Sequence, residues 1–495
     1  MNSSLFIGAT GLKGLSQGMN VISNNLANVS TYGFKQQNIQ YSDLIYSSQG
    51  NLGSGLETQE DSLVTSGELG HGMTVDAIRT FFTQGDMEGT KSVSDLALSG
   101  KGFFQVTDET GGVYYTRTGD FITDKQGYMR TPAGMSLTGY RYNEDGTLGG
   151  LGSIQLDRDT LPAKATSSLS LGANLGFSED LSTDDANPYF GLLSSYDALA
   201  TPPLAKDAVA FSQTVSIYDA EGNKKDVTVD FDGAPSSGNQ RQMEFLIALP
   251  QEEGQAAQSG DGLLMSGVLT FDTSGQLTGV AAFTPSVAGG KDLSQWTAAV
   301  STGKGFFCDI DGQQVAIDFG FESASAAAGG ASTAAGVGAN AALLGGLTDG
   351  VASGFATTAF AGTSTLETVS QDGYAEGQMN FYDITQNGDI IAYYSNGQNQ
   401  KLWQIPVCRF TSEDGLYREG GNLYSATEAS GAMEMGVAGT ENYGAVNAYN
   451  LETSNVDMTV EMVNMITTQR GFQSNSKVIT TADEMLRKAM EIKRT

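Results

Sequence analysis

The chain has 495 residues and a formal net charge of −30, with 64 glycines, 9 prolines, two cysteines and one histidine. This acidity repels phosphate backbones and argues against nucleic-acid binding, and the sequence contains no run of 18 apolar residues that would insert into a membrane. Two cysteines provide neither a disulfide framework nor a zinc site. The length predicts several domains, and the many glycines predict short strands joined by tight turns.

Two apolar series with a spacing of seven residues predict a long first helix over residues 5–29. Their members are Leu5, Leu12, Leu15, Met19, Ile22, Leu26 and Val29. These are the a and d positions of a heptad, which form one apolar seam along a helix. Because a lone helix with such a seam is marginally stable in water, it requires a partner.

A short turn pattern recurs in the middle of the chain, in which Asp or Asn is followed three residues later by Gly. It occurs at residues 124–127, 143–146, 219–222 and 272–275. The acidic or amide side chain can hydrogen-bond its own backbone and Gly supplies a positive φ, so each copy predicts a β-hairpin. The clearest hairpin pairs residues 215–219 with residues 227–231, which both alternate with period two.

A second long helix is predicted at the end of the chain. Ser454 is the expected N-cap, and Asp457 lies in the first turn, where the helix dipole favours a negative charge. Heptad-spaced apolar residues follow at Met458, Met462, Met465, Phe472, Ile479 and Leu486. We therefore predict a mainly β protein whose two long terminal α-helices pair as an antiparallel coiled coil, with the β domains inserted between them.

Two paired helices with one seam each bury little apolar surface. If a broad face stays apolar after pairing, it must meet other copies, and repeated contacts that do not close generate a helical filament. This layout favours a self-assembling structural protein over a monomer with a two-helix stem.

Two segments near the chain ends resemble the signatures of the bacterial flagellar axial proteins of the rod and hook. Asn24–Lys35 is similar to the N-terminal signature of that family, and residues 451–457 and 465–475 are similar to its C-terminal signature. The signature residues are Asn25, Asn28, Thr31, Gly33, Phe34, Lys35, Leu451, Glu452, Ser454, Asn455, Val456, Asp457, Gln469 and Arg470. Residues 102–106, 115–121, 218–223, 415–422 and 430–431 resemble the hook proteins of that family, whereas 151–205 and 323–364 lie outside the resemblance.

The resemblance implies a domain organisation. Residues 1–29 and 451–495 would form a helical inner tube, and residues 30–75, which are polar and rich in Ser, Gly and Gln, a connector. Residues 76–150 and 366–450 would form an inner β domain, with residues 151–365 inserted as an outer β part. Within that part, the Ala, Gly, Ser and Thr of residues 323–364 have little bulk to bury, which predicts a surface loop, a linker or short strands.

The resemblance also implies a function. It indicates a structural subunit of the flagellar hook, which assembles into a curved hollow tube and, as a universal joint, transmits motor torque to the filament. The implied partners are other copies of the chain, the distal rod protein, the hook cap protein, the hook–filament junction protein and the flagellar type III export apparatus. The implied location is the extracellular hook, reached without a cleaved signal peptide. A distal-rod or hook-associated axial protein is the alternative within the family.

No catalytic, cofactor or metal site is predicted. The Gly-Lys-Gly turns at 100–102 and 303–305 lack the spacing of a P-loop, and residues 309–312 lack the later acidic ligand of a calcium loop. The acidic stretch 179–185 is interpreted as a solvated loop, and Cys308 and Cys408 as buried small residues. An extracellular β-rich carbohydrate-binding or hydrolytic protein on a helical stalk is the alternative from another class.

Overall fold

The computed structural model of the chain describes residues 2–44, 47–48, 68–143, 145–156, 160–176, 184–250, 258–301, 303–323, 330–348, 350–440 and 442–493. The chain divides into two compact units. Unit 1 comprises Met1–Asp159 with Met379–Thr495, and unit 2 comprises Thr160–Gln378. The predicted fold class is confirmed, because the chain is mainly β with one long helix at each end. The finer division into helical, inner and outer parts stays a prediction.

The elements follow one another in three stretches. The first part of unit 1 contains α1 (Asn2–Ala27), β1 (Gln37–Asp43), β2 (Ser47–Ser48), β3 (Glu68–Leu69), β4 (Met73–Thr80), β5 (Met87–Gly89), β6 (Leu96–Ser99), β7 (Phe104–Thr107), β8 (Val113–Thr116), β9 (Ile122–Thr123), β10 (Met129–Arg130), β11 (Ser136–Tyr142) and β12 (Leu148–Ser153). Unit 2 contains β13 (Ser168–Asn174), α2 (Gly191–Ser195), β14 (Phe211–Tyr218), β15 (Lys224–Ser237), β16 (Gln240–Ala248), β17 (Leu263–Phe271), β18 (Leu277–Pro285), β19 (Trp296–Ala298), β20 (Phe306–Ile310), β21 (Gln313–Asp318), β22 (Phe321–Ser323), α3 (Ala334–Val337), β23 (Gly350–Ala352) and β24 (Thr365–Gln371). The second part of unit 1 contains β25 (Met379–Ile384), β26 (Asp389–Tyr394), β27 (Asn399–Gln404), β28 (Pro406–Phe410), β29 (Tyr417–Gly420), β30 (Leu423–Ser425), β31 (Met433–Val437), β32 (Ala445–Ala448), β33 (Asn450–Glu452) and α4 (Met458–Lys493). Short 3₁₀ turns cover Lys206–Ala208, Leu293–Gln295, Ala341–Leu343, Glu413–Gly415 and Glu428–Ser430.

Unit 1 is built around one large sheet, to which both parts of the unit contribute strands. Its main order is β25-β26-β27-β11-β7-β8-β30-β29, with β9, β10 and β12 attached at β11 and β10. The pairs β6–β32 and β5–β33 join the two parts again beside the signatures. Buried apolar residues from both parts, such as Leu98, Phe104 and Ile390, form one core. The two ends of the chain therefore depend on each other for a stable fold.

The predicted hairpins are confirmed. The turns at 124–127, 143–146, 219–222 and 272–275 join β9–β10, β11–β12, β14–β15 and β17–β18, and all four pairs are antiparallel. Each turn has its glycine in the left-handed region, with φ between 76° and 87°. The predicted segments 215–219 and 227–231 lie in the paired strands β14 and β15, but Val215 lies opposite Val227, so residues 227–231 pair with 211–215. These turns were predictable because their chemistry is local.

Unit 2 is organised on a six-stranded antiparallel meander, β14 to β19. Alternation along its strands sends Phe231 and Phe245 to one core, whereas Leu246 and Phe283 reach a second core on the opposite face. A four-stranded sheet, ordered β20-β21-β13-β24, covers part of the first core. Both faces of the meander are therefore buried.

Part of the low-complexity segment contradicts the expectation that residues 323–364 bury little. Its described residues form α3, β23 and a 3₁₀ turn, and they place Val337, Leu347 and Ala359 in the cores. Small residues fit close to sheet surfaces that larger side chains would not enter, so low bulk did not mean exposure. Residues 324–329 and 349 lie outside the described residues.

The predicted connector contains regular structure at both ends. β1 pairs antiparallel with β4, from Gln37 opposite Thr80 to Asp43 opposite Met73, with one register shift after Gln40. The sequence reasoning missed this two-stranded ribbon because polar, weakly periodic strands carry little pattern. Residues 45–46 and 49–67 lie outside the described residues.

Candidate assembly site: the terminal helices and their junction

The two terminal helices pack against each other in opposite directions, which confirms the predicted antiparallel pairing. Gly8 of α1 faces Ile479, and Gly11 faces Asn475 of α4. Further along, Leu15 contacts Gly471. Residue numbers therefore rise along α1 while they fall along α4.

Glycines on α1 allow α4 and the β1–β4 ribbon to approach this helix closely. A Cβ atom added at Gly8 would lie 2.8 Å from Cγ1 of Ile479. A Cβ added at Gly14 or Gly18 would clash with side chains of the β1–β4 ribbon, Met73 and Tyr41 respectively. The sequence reasoning missed these residues, although their steps of three and four place them on one side of a helix.

The predicted seam of α1 is only partly used within the chain. Ile22 is buried, whereas Leu5, Leu12, Leu15, Met19 and Leu26 are half-buried. Val29 was wrongly assigned to the helix, which ends at Ala27. The Asn28 side chain donates to the carbonyl of Asn24 at 2.8 Å and satisfies a helix-end acceptor, so the helix stops there.

The start of α4 also differs from the prediction. Asp457, not Ser454, is the N-cap, because its Oδ1 accepts hydrogen bonds from the backbone N–H groups of Thr459 at 2.7 Å and Val460 at 3.2 Å. The Ser454 hydroxyl instead accepts from the N–H of Val456. A carboxylate at this position also complements the helix dipole.

The predicted α4 seam divides into two groups. Met465, Ile479 and Leu486 are half-buried. Met458, Met462 and Phe472 are exposed, so the helix pairing within one chain does not bury them, and their contact with other copies stays a prediction. The side of α4 toward α1 includes Gly471 and Asn475 as well as Ile479.

Much of the remaining surface of α4 is apolar and exposed. Met462, Val463 and Ile466 are 51%, 55% and 50% exposed, and they form a group that we call the outer patch of α4. Further exposed apolar residues of α4 are Met458, Val460, Phe472, Val478, Met485, Met490 and Ile492. Exposed apolar surface of this extent is typical of surfaces that meet other proteins.

Where the helices join the β structure, the two signatures meet in a buried group of charges. Lys35 donates to Glu452 Oε1 at 2.5 Å, and Arg117 donates to Glu452 Oε2 at 3.2 Å. Lys35, Arg117 and Glu452 form this junction cluster, and the side chains of Lys35 and Glu452 are 0% exposed. Burial lowers the pKa of Lys35, while the Glu452 carboxylate opposes that effect. A buried charge needs such partners, because transfer from water is costly.

Backbone groups complete the junction cluster. Glu452 Oε1 also accepts from the N–H of Gly85 at 2.9 Å, and Lys35 also donates to the carbonyl of Thr83 at 2.8 Å. Arg117 donates to the carbonyl of Gly100 at 2.7 Å. The cluster thus links both signatures to the β structure of unit 1.

The side chains of two signature asparagines form hydrogen bonds with backbone groups of neighbouring segments. Asn25 exchanges two hydrogen bonds with the backbone of Gln37, of 2.7 Å and 3.0 Å. Asn455 accepts from the N–H of Gln36 at 2.7 Å and donates to the carbonyl of Phe81 at 2.9 Å. Each amide offers both a donor and an acceptor, so it pairs with a chain segment as a neighbouring strand would.

Gly33 lies where the chain leaves α1 for the β structure. Its φ is 67°, and a Cβ there would lie 2.7 Å from the backbone nitrogen of Thr118. Its N–H donates to the carbonyl of Glu452 at 2.7 Å. Only glycine therefore fits this position without strain.

The other signature residues divide between the junction and the surface. Phe34, Leu451 and Val456 are buried, and the guanidinium of Arg418 lies 5.6 Å from the centre of the Phe34 ring. Thr31 donates to the Asn28 side chain at 3.2 Å. Gln469 and Arg470 are exposed on α4, away from the junction.

The two cysteines are the remaining residues that the sequence singled out. Cys308 and Cys408 are buried, as predicted, and burial raises the pKa of each thiol to about 12. Within the described residues, His, Cys, Asp and Glu nowhere form a group of three suited to a metal ion. Of the described helices, none is long and apolar enough to cross a membrane. Residues 179–183 of the acidic stretch lie outside the described residues.

The fold and this site define a mainly β protein with two long paired terminal helices, one of which carries an exposed apolar patch. Four family models match the chain, and together they span most of it. They are the flagellar basal body rod protein at residues 5–35, the flagellar hook protein FlgE/F/G D1 domain at 97–173, the flagellar basal body protein FlaE D2 domain at 185–374 and the flagellar basal body rod FlgEFG protein C-terminal at 448–492.

Relatives match over the full chain. The flagellar hook protein FlgE of Borreliella burgdorferi is 29% identical, with 100% of each chain covered. Those of Salmonella typhimurium and Treponema pallidum are each 28% identical, with 96% and 100% of each chain covered. A crystal structure of the Helicobacter pylori flagellar hook protein FlgE2 matches 74% of this chain and 100% of its own, at 15% identity and a TM-score of 0.48. The chain is therefore similar over its full length to flagellar hook proteins.

Proposed function

We propose that this chain is the structural subunit of the bacterial flagellar hook, and that its terminal helices carry the contacts between copies. The outer patch of α4 is the observation that carries the second part. It places three exposed apolar side chains within five residues of one helix. If a second copy covers them, the contact is stabilised by about 25 cal/mol for each Å² of apolar surface removed from water. In the assembled hook, the paired helices would line a hollow tube.

The family supports the first part of the proposal. The two terminal matches bear the names of rod proteins, so they do not separate a hook protein from a distal-rod or hook-associated protein. The FlaE D2 domain match at residues 185–374 favours the hook protein. A hydrolytic or carbohydrate-binding protein has no support from the family matches.

The proposal extends to mechanics and partners. We infer that the assembled tube is curved, transmits motor torque to the filament and bends as a universal joint. Its ends would contact the distal rod protein and the hook–filament junction protein, with the hook cap protein present during growth. The chain would reach this extracellular site through the flagellar type III export apparatus.

Electron microscopy of the purified full chain under polymerising conditions tests the proposal. We expect the unsubstituted chain to form hollow tubes and the double variant Met462→Lys, Ile466→Lys to remain unassembled, because two charges would then enter the contact between copies. The matched control is Gln473→Lys, Ser474→Lys, which adds the same charge to exposed polar positions of the same helix.

The outcomes separate the two parts of the proposal. If the unsubstituted chain forms no tubes and no hooks appear in cells that carry it as their sole hook protein gene, the hook function is wrong. If tubes form from the Met462→Lys, Ile466→Lys variant as readily as from the control, the outer patch is not a contact surface. Circular dichroism of both variants must show unchanged helix content.

A further inference from the structure

A cavity of about 570 Å³ opens in unit 2, where the segment 196–211 lies over the meander. Its floor includes Thr228 and Asp230 of β15, and its walls include Tyr196, Leu204 and Val209. The walls are mainly apolar, with three prolines at residues 202, 203 and 250. Small-molecule sites are typically concave and apolar with a few polar groups, and this cavity has that composition.

Asp230 brings a carboxyl group to this apolar surface. It is 7% exposed, and it lies between Ser212 of β14 and Leu246 of β16 in the sheet register. Burial raises its pKa, and a hydrogen bond from the Ser212 side chain partly offsets that effect. An ionised carboxyl group at such a position is costly unless a cation or further donors accompany it.

One acidic and one basic side chain line the cavity, Asp230 and Lys206. Burial, together with the smaller effects of the charges on Asp230, Asp261 and Asp197, raises the pKa of Tyr196 to about 12. Lys206 lies on the rim and is exposed, and it forms none of the salt bridges found among the described residues. The site therefore combines apolar walls with one buried carboxyl group.

We propose that this cavity binds an organic ammonium ion with an apolar body, such as an alkylammonium. The ammonium group would donate to the Asp230 carboxylate, and the alkyl chain would displace water from Leu204 and Val209. The rings of Tyr196 and Phe211, which also line the cavity, suit a cation through their negative faces. The proposal goes beyond the hook function, which uses the terminal helices and the junction of unit 1.

Isothermal titration calorimetry of the full chain with three probes of equal length tests this proposal. The probes are n-hexylammonium chloride, 1-hexanol and sodium hexanoate. We expect one site for hexylammonium, at least tenfold weaker affinity for hexanol and no binding of hexanoate, because a charge-assisted hydrogen bond is lost or replaced by repulsion.

Substitutions locate the site. Asp230→Asn should weaken hexylammonium binding about tenfold or more and leave hexanol binding unchanged. Asp226→Asn is the matched control on the same strand, since the Asp226 side chain is half exposed and pairs with Lys224, and it should bind hexylammonium as the unsubstituted chain does. Ala210→Leu, which narrows the cavity, should weaken both ligands.

Three results would overturn the proposal. They are an absence of hexylammonium binding, equal affinities for hexylammonium and hexanol, and equal losses in Asp230→Asn and Asp226→Asn. The probe series uses the unsubstituted chain, so it decides the matter even if a variant fails to fold.

Discussion

Replacing Glu452 by Gln tests whether the junction cluster holds the two signatures in place. The Glu452 carboxylate lies between Lys35 and Arg117, and it also accepts from the N–H of Gly85. Glutamine keeps the size of the side chain but leaves two buried cations without their counter-charge. Breaking a buried ion pair in this way costs about 3–5 kcal/mol, so we expect unit 1 to lose that amount of unfolding free energy.

The two tryptophans of the chain allow unit 1 to be measured separately. Trp403 lies in unit 1 and Trp296 in unit 2, so in a Trp296→Phe background the fluorescence reports unit 1 alone. Urea unfolding in that background, with and without Glu452→Gln, gives the difference in free energy. The matched control is Glu109→Gln, whose side chain is 84% exposed and 3.4 Å from Arg130, and which should cost less than about 1 kcal/mol.

The junction cluster holds two cations and one carboxylate, so removing a cation should cost less unfolding free energy than removing the carboxylate. Lys35→Met leaves Arg117 and Glu452 as a balanced pair, and the carbonyl of Thr83 still accepts from Asn455 at 3.1 Å. We expect it to cost only about 1–2 kcal/mol, less than Glu452→Gln. Equal costs for Glu452→Gln and Glu109→Gln, or a larger cost for Lys35→Met, would refute the reasoning.

Three further predictions concern helix packing and pH. In Gly11→Leu, even the Cβ would lie 3.0 Å from the Asn475 side chain, so we expect a loss of about 1–3 kcal/mol and faster amide hydrogen exchange in α1 and α4. Burial and the hydrogen bond to Asp389 raise the pKa of Tyr142 to about 12, above its ordinary 10.0. Its contribution to stability is therefore complete below pH 10 and lost as the pH rises toward 12, and Tyr142→Phe should flatten the fall in unfolding free energy over that range. Burial acts to raise the pKa of Asp372, but hydrogen bonds from neighbouring serines hold it at about 2, below 3.8, so its contribution is lost as the pH falls from about 4 to 2. Asp372→Asn should remove about 1–2 kcal/mol of that acid sensitivity in denaturation measured between pH 5 and 2.

Features that depend on neighbouring residues were predictable from the sequence. Heptad spacing located both terminal helices, and the Asp-to-Gly turns located four hairpins, because 3.6-residue periodicity and a positive φ are properties of a few adjacent residues. Element ends were less secure. Val29 and Ser454 were misassigned because capping hydrogen bonds, such as that of Asp457, decide where a helix begins or ends.

Features that depend on distant residues were not predictable in the same way. Lys35 and Glu452 were recognisable as signature residues, but no local pattern indicates that they share a buried site with Arg117. The close approach of Gly8 and Gly11 to α4 also depends on tertiary packing, although the glycine spacing was available as a signal. Periodicity identifies the face of a helix that is apolar, and not the face that its nearest neighbour occupies.

The Lys35–Glu452 pair has a consequence for the order of folding. Its two members are separated by 417 residues, and closing a flexible loop of that length costs about 5 kcal/mol of chain entropy. We therefore expect the β units between them to form first, because their folding shortens the loop that the pair has to close. Before that, burial of the Lys35 amine would leave its charge without the Glu452 carboxylate as a partner. We thus expect the segments that carry Lys35 and Glu452 to become ordered together, in a late step of folding.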